Sequence, residues 1–208
     1  MGNLFRYDSK FFEILGKVTD IVILNLLFLS SCIPIITIGA SVTSMYSVTI
    51  QMIKDEEKYI IKEFINKFKE NFKVSTKVWL LAMFLGIVLV FDFQITNLIS
   101  SEALSRALQF IFIMVSVVFV FALSYIFPMI SKFDNTIKNT VINSVLISIQ
   151  NLPYTILIAL VNLLPLILLY FVSSFGGYII FFYTIIGFAL ASYINSIFLD
   201  KILNRYVP

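Results

Sequence analysis

Long apolar runs fill most of the chain, and short polar stretches separate them. The six runs lie near residues 18–33, 35–53, 78–98, 107–130, 152–172 and 178–199. A helix needs about 20 apolar residues to cross a bilayer. The pattern therefore predicts an all-α fold: an integral membrane bundle of about six transmembrane helices forming a single domain over residues 1–208. Pro34, which cannot donate a backbone hydrogen bond, and Gly39, which permits unusual dihedrals, predict a tight helical hairpin for the first two runs. Ser173-Ser174-Phe175-Gly176-Gly177 supplies a turn between the last two.

Two of the polar stretches carry helical periodicity of their own. In residues 56–73, Ile61, Phe64, Ile65, Phe68 and Phe72 fall on one narrow stripe of a helical wheel. Lys62, Lys69 and Lys73 flank it on one side and Lys67 on the other, with Glu63 and Glu70 opposite. An apolar stripe bordered by lysines suits a helix lying in the membrane surface, its lysine stems snorkelling to the headgroups. A helix packed on protein beneath the bundle fits the same pattern. Lys62, Phe64, Phe68, Lys69, Phe72 and Lys73 are thus the candidate membrane-surface or partner residues. In residues 135–151, Ile137, Val141, Val145 and Ile149 share one half of the wheel, and Thr136, Asn139, Thr140, Asn143 and Gln150 take the other. Its polar half is nearly uncharged, so this second amphipathic helix leans on protein more than on lipid. Both amphipathic helices are placed on the cytoplasmic side.

Composition agrees with a membrane protein. Hydrophobic residues make up 60% of the chain, charged residues 13%, and mean hydropathy is +0.98. A soluble domain carries about 25% charged residues. Of the 15 Lys and Arg residues, only Arg106 sits outside four stretches: the N-terminus, 54–77, 132–138 and the C-terminus. Those four lie on one side if all six runs cross. The positive-inside rule then puts both termini of this multi-pass membrane protein in the cytoplasm.

Candidate chemistry is sparse. The chain has no histidine and one cysteine, so ordinary zinc, haem and Ser-His-Asp sites and an internal disulfide are out of reach. No catalytic constellation, cofactor site or metal site is expected, and no nucleic-acid partner; membrane lipids are the expected surroundings. Leu29-Ser30-Ser31-Cys32 has the form of a lipoprotein cleavage box, but the apolar run continues straight through it to Ile38. Asp92 is an acid deep inside an apolar run. It lies about 22 Å beyond Lys77 along a helix, where water or headgroups reach it. Asn162 and Pro165 interrupt the fifth run near its middle, as the discontinuous helices of transporters do. Asp55-Glu56-Glu57 could hold a cation, but lysines bracket it.

Several stretches resemble the YesL family of small multi-pass bacterial membrane proteins, a family classed by a domain of unknown function. They are Asp20 with Asn25-Leu26-Leu27, then Cys32 through Ser41 at the first turn, and Lys54-Asp55-Glu56-Glu57 with Phe64 and Phe68. Asn71-Phe72-Lys73, Trp79, Phe133-Asp134-Asn135-Thr136, Lys138 and Leu152-Pro153 extend the likeness. The resemblance implies an inner-membrane protein often encoded beside carbohydrate ABC importers, and it brings no catalytic residues. The expected function is a non-enzymatic membrane protein accessory to carbohydrate uptake, with an ABC-type sugar importer as partner. The alternative is a small transporter or permease, its path lined by Asp92, Asn162 and Pro165.

Overall fold

The computed structural model describes residues 10–56, 59–99 and 101–206. Among them there is no strand. The elements are α1 (Lys10–Ser31), α2 (Ile38–Ile53), α3 (Ile60–Thr96), α4 (Glu102–Lys132), α5 (Ile137–Gln150), α6 (Leu152–Phe171), α7 (Gly176–Phe182) and α8 (Phe188–Leu203). A π-helical turn, Tyr183–Gly187, joins α7 to α8 without a break. Five stretches among the described residues are long and apolar enough to cross a membrane: Ile35–Ile53, Ile60–Thr96, Glu102–Lys132, Leu152–Phe171 and Gly176–Tyr206. α1, which carries Glu13, Lys17 and Asp20, is not among these five.

The first two runs form the expected hairpin, and it is tied at both ends. At the turn, the Thr37 hydroxyl donates to the carbonyls of Ser31 (2.6 Å) and Pro34 (2.7 Å). The Trp79 indole donates to the Ile35 carbonyl at 2.9 Å, pinning the turn to α3. At the other end Lys17 meets the Asp55 carboxylate at 2.8 Å. Asp55 adopts a positive φ of 53°, a left-handed conformation that a short polar side chain tolerates.

α3 departs from expectation. The amphipathic stretch and the third apolar run were expected to be separate, yet Ile60–Thr96 is one helix of 37 residues. At 1.5 Å per residue it extends about 55 Å, nearly twice the ~30 Å of a hydrocarbon core. Nothing in 73–78 stops a helix: Lys, Val, Ser, Thr, Lys and Val contain neither glycine nor proline. Its first half pairs with α2 through Phe64, Ser75 and Val78, and its second half pairs with α4, with the Ser105 hydroxyl donating to the Thr96 carbonyl at 2.7 Å. α5 is a separate helix as expected. The Thr136 side chain caps it by accepting from the Asn139 N–H at 3.4 Å.

α2 is the centre of the bundle. Twelve of its sixteen residues are buried, five of them Ser or Thr. Small side chains let neighbouring helices approach closely, and their hydroxyls are satisfied within the helix: Ser41, Thr43 and Ser44 each donate to the carbonyl four residues back. The closest approach is at Gly39. A Cβ there would lie 2.5 Å from both the Ser75 carbonyl oxygen and the Trp79 Cβ.

Both of those atoms belong to helix framework, so neither can swing aside. Gly39→Ala is expected to lower the stability of the detergent-purified protein by about 1–3 kcal/mol, the usual cost of overpacking. Gly177→Ala, where nothing lies within 4 Å of the added carbon, should leave thermal unfolding nearly unchanged. Equal melting of the Gly39 variant and the parent would refute this packing.

Candidate functional site

Polar side chains in this bundle gather along one face of α8 where it meets α2. Ser192, Asn195, Ser196 and Asp200 recur at spacings of three and four, so they share that face. The Thr49 hydroxyl lies 3.0 Å from that of Ser192 and 2.8 Å from that of Ser196. One step along, Asn195 donates to the Asn162 side-chain oxygen at 2.7 Å and reaches the Tyr46 hydroxyl at 3.4 Å. At the end of the row, Lys54 (3.4 Å) and Lys132 (3.1 Å) both face one carboxylate oxygen of Asp200. Asn204 bridges this cluster, accepting from Lys132 at 2.5 Å and donating to Asp200 at 2.8 Å. The result is a row of three separate polar groups running from an ion cluster to the middle of the bundle.

The π turn lies beyond the other end of the row. A π turn inserts an extra residue, so local backbone groups lose their regular partners. Asn25 of α1, fully buried, replaces them. Its amide nitrogen donates to the carbonyls of Tyr183 (3.1 Å) and Thr184 (2.8 Å), and its oxygen accepts from the Ala189 N–H at 2.9 Å. In a low-dielectric bundle such groups are costly to leave unpaired, so one asparagine locks α1 against the last helix.

Between the π turn and the row lies a cavity of about 210 Å³. Tyr46, Asn162 and Ser192 give it polar wall, while Phe28, Phe127 and Phe188 give it apolar wall. Asn162 is exposed at its margin, in the middle of α6. Asn195 stands just behind, with 0% exposure, and its side-chain oxygen has no hydrogen-bond partner among the described residues.

The structure brings together two of the three pathway candidates. Asn162 and Pro165 both line this cavity, one turn apart on α6. Asp92 does not. It is half-buried in the second half of α3 and makes no hydrogen bond or ion pair among the described residues.

The stripe read from residues 56–73 divides between two faces. Phe64 is 3% exposed and joins a core cluster with Ile60, Val48 and Met52, and Phe68 packs against it. Phe72 is half-buried against Phe68, while Ile61 and Ile65 remain exposed beside the exposed Lys62, Lys69 and Lys73. Asp55 pairs with Lys17, and no group of three metal-ligating side chains occurs among the described residues. Sequence reading missed Asn25, Tyr46, Thr49, Asn195 and Asp200 as site residues. The spacing 192, 195, 196, 200 was the available signal, hidden because serines and asparagines are unremarkable singly in an apolar run.

Two substitutions test this polar framework. Asn25→Leu strands two carbonyls and one N–H, and interhelical hydrogen bonds in membranes carry about 0.6–2 kcal/mol each. Clear destabilisation is expected in thermal unfolding, and parent-like melting would contradict the lock. Asp200→Asn leaves Lys54 and Lys132 facing one another without their counter-ion. The cluster is partly exposed, so water screens it and the cost stays below that of a fully buried pair; this variant should still unfold at lower temperature than Lys54→Gln, which removes only the longer contact.

Residues 21–93 fit the model of the family DUF624, described as a protein of unknown function. The matched stretch runs from α1 through most of α3, is consistent with the YesL-type resemblance, and includes Asn25, Gly39, Tyr46, Thr49 and Trp79 but neither Asn162 nor α8. No curated protein and no solved structure matches the chain.

Proposed function

We propose that this is a non-enzymatic membrane protein that passes a small solute through its own helix bundle, a small transporter or permease. The observation that carries the reading is the row of polar side chains along α8 ending at a cavity walled in part by Tyr46, Asn162 and Ser192. Polar groups within membrane helices are expensive and mark solute and ion paths. Pro165 interrupts the backbone ladder of α6 beside that cavity, as in transporters whose binding sites lie at broken helices.

The reading as an accessory to a carbohydrate ABC importer draws support from another surface. Exposed Lys62, Lys69 and Lys73, together with Ile61 and Ile65, offer a basic and apolar face on the first half of α3 for a partner or for anionic headgroups. Both readings take the protein as N-in and C-in, in the cytoplasmic membrane, with six crossings that include α1.

Uptake of a panel of labelled neutral solutes into proteoliposomes of the purified protein separates the two. Saturable flux above empty vesicles is expected of a transporter. Absence of flux, with an importer ATPase copurifying from native membranes, would favour the accessory reading. Reporter fusions after Lys138 and Leu203 should read cytoplasmic, and those after Ser101 and Gly176 external. A cytoplasmic signal at Ser101 would overturn the topology.

A further inference from the structure

We infer that the cavity bordered by Tyr46, Asn162 and Ser192 is a recognition site for a small uncharged polyol, and that Asn195 is its positioning residue. The inference rests on the reading of the bundle as a solute path and deepens it by naming the class of solute.

The wall chemistry excludes a charged ligand. No ionised side chain lines the cavity. The nearest ion cluster on the row, two lysines sharing the Asp200 carboxylate, lies at the end of α8, and none of its three side chains lines the cavity. An ion brought to the cavity would lose its hydration and find no counter-charge. The groups that do face it are an amide, two phenols (Tyr46 and Tyr183) and a hydroxyl, each able to donate and to accept. Aromatic and aliphatic side chains cover the remaining wall. A polyol has the complementary build, with hydroxyls on one edge and C–H surface on the other. The volume, about 210 Å³, equals roughly seven waters at ~30 Å³ each, which suits a solute of the size of glycerol or erythritol.

Beside the exposed Asn162, two features leave hydrogen-bonding capacity unspent here, the Asn195 oxygen and the Val161 carbonyl. Asn162 is exposed in mid-helix at the cavity margin, with its side-chain oxygen bonded to Asn195. The Asn195 oxygen is fully buried without a partner, although buried polar groups are ordinarily paired. Pro165 lacks the N–H that would bond the carbonyl of Val161, and Val161 also lines the cavity. Asn195 grips Asn162 at 2.7 Å and reaches Tyr46 at 3.4 Å, so it sets the spacing of two groups that would meet the solute.

Trp79 is the only tryptophan, and its ring lies 6.4 Å from that of Phe127 in the cavity wall. Titrating the full detergent-purified chain with glycerol and erythritol should give a saturable change in Trp79 fluorescence, while acetate and choline should give none. Asn162→Ala, at the exposed margin, should weaken polyol affinity by about tenfold or more, as expected for loss of a hydrogen bond from a buried partner. Asn195→Ser should weaken it similarly and leave acetate and choline without response. A linear, non-saturable polyol response, or an affinity unchanged in Asn162→Ala, overturns the inference. Proteoliposome flux keeps it distinct from the transport reading. Saturable binding lost in Asn162→Ala, with no flux in the parent, sustains the recognition site and sinks transport. Solute flux that persists unaltered in both variants sustains transport and sinks the site.

Discussion

Close packing around α2 is the constraint on which the rest of the bundle depends. A helix surrounded on all sides in a membrane protein gains nothing from apolar bulk, because lipid tails are as apolar as leucine. Its stability comes from close contact, and α2 achieves this with Gly39, Ala40 and a run of serines and threonines. Those hydroxyls bond to carbonyls of their own helix or, as with Thr43 and Ser75 at 2.8 Å, to a neighbour. Four buried positions on α2, Ser41, Thr43, Ser44 and Thr49, are thereby polar without being unsatisfied.

Satisfied polar groups hold this fold together, and incompletely satisfied ones mark its candidate site. Asn25 replaces the backbone partners that the π turn gives up, and Asp200 joins two lysines from different helices. Two buried polar atoms lack a partner among the described residues, the Thr76 hydroxyl on α3 and the Asn195 oxygen, and only the second belongs to a hydrogen-bonded pair beside the cavity.

The first half of α3 shows where periodicity misleads. Ile61, Phe64, Ile65, Phe68 and Phe72 form a genuine stripe, but a stripe wider than one contact serves two surroundings. Phe64 and Phe68 turn toward α1 and α2, while Ile61 and Ile65 face outward with the lysines. The helix is also longer than hydropathy suggested. Lysine is a good helix former, so a change from polar to apolar composition marks a change of environment and leaves the helix itself unbroken.

Residue types alone determined the class of the molecule. Transfer of apolar side chains to hydrocarbon depends on composition and length, so the long runs, the Pro34 hairpin and the all-α bundle were legible from the chain. Pro165 and Asn162 were visible for the same reason, since any break in an apolar run stands out. Only tertiary packing brought Tyr46, Asn162 and Asn195 into one cluster and left Asp92 outside it. Those residues lie far apart in sequence, and hydropathy reports how each side chain partitions without reporting which helix faces it. Helix rotation and crossing, set by close contacts such as Gly39 against Trp79 and by the asparagine lock on the π turn, made them neighbours.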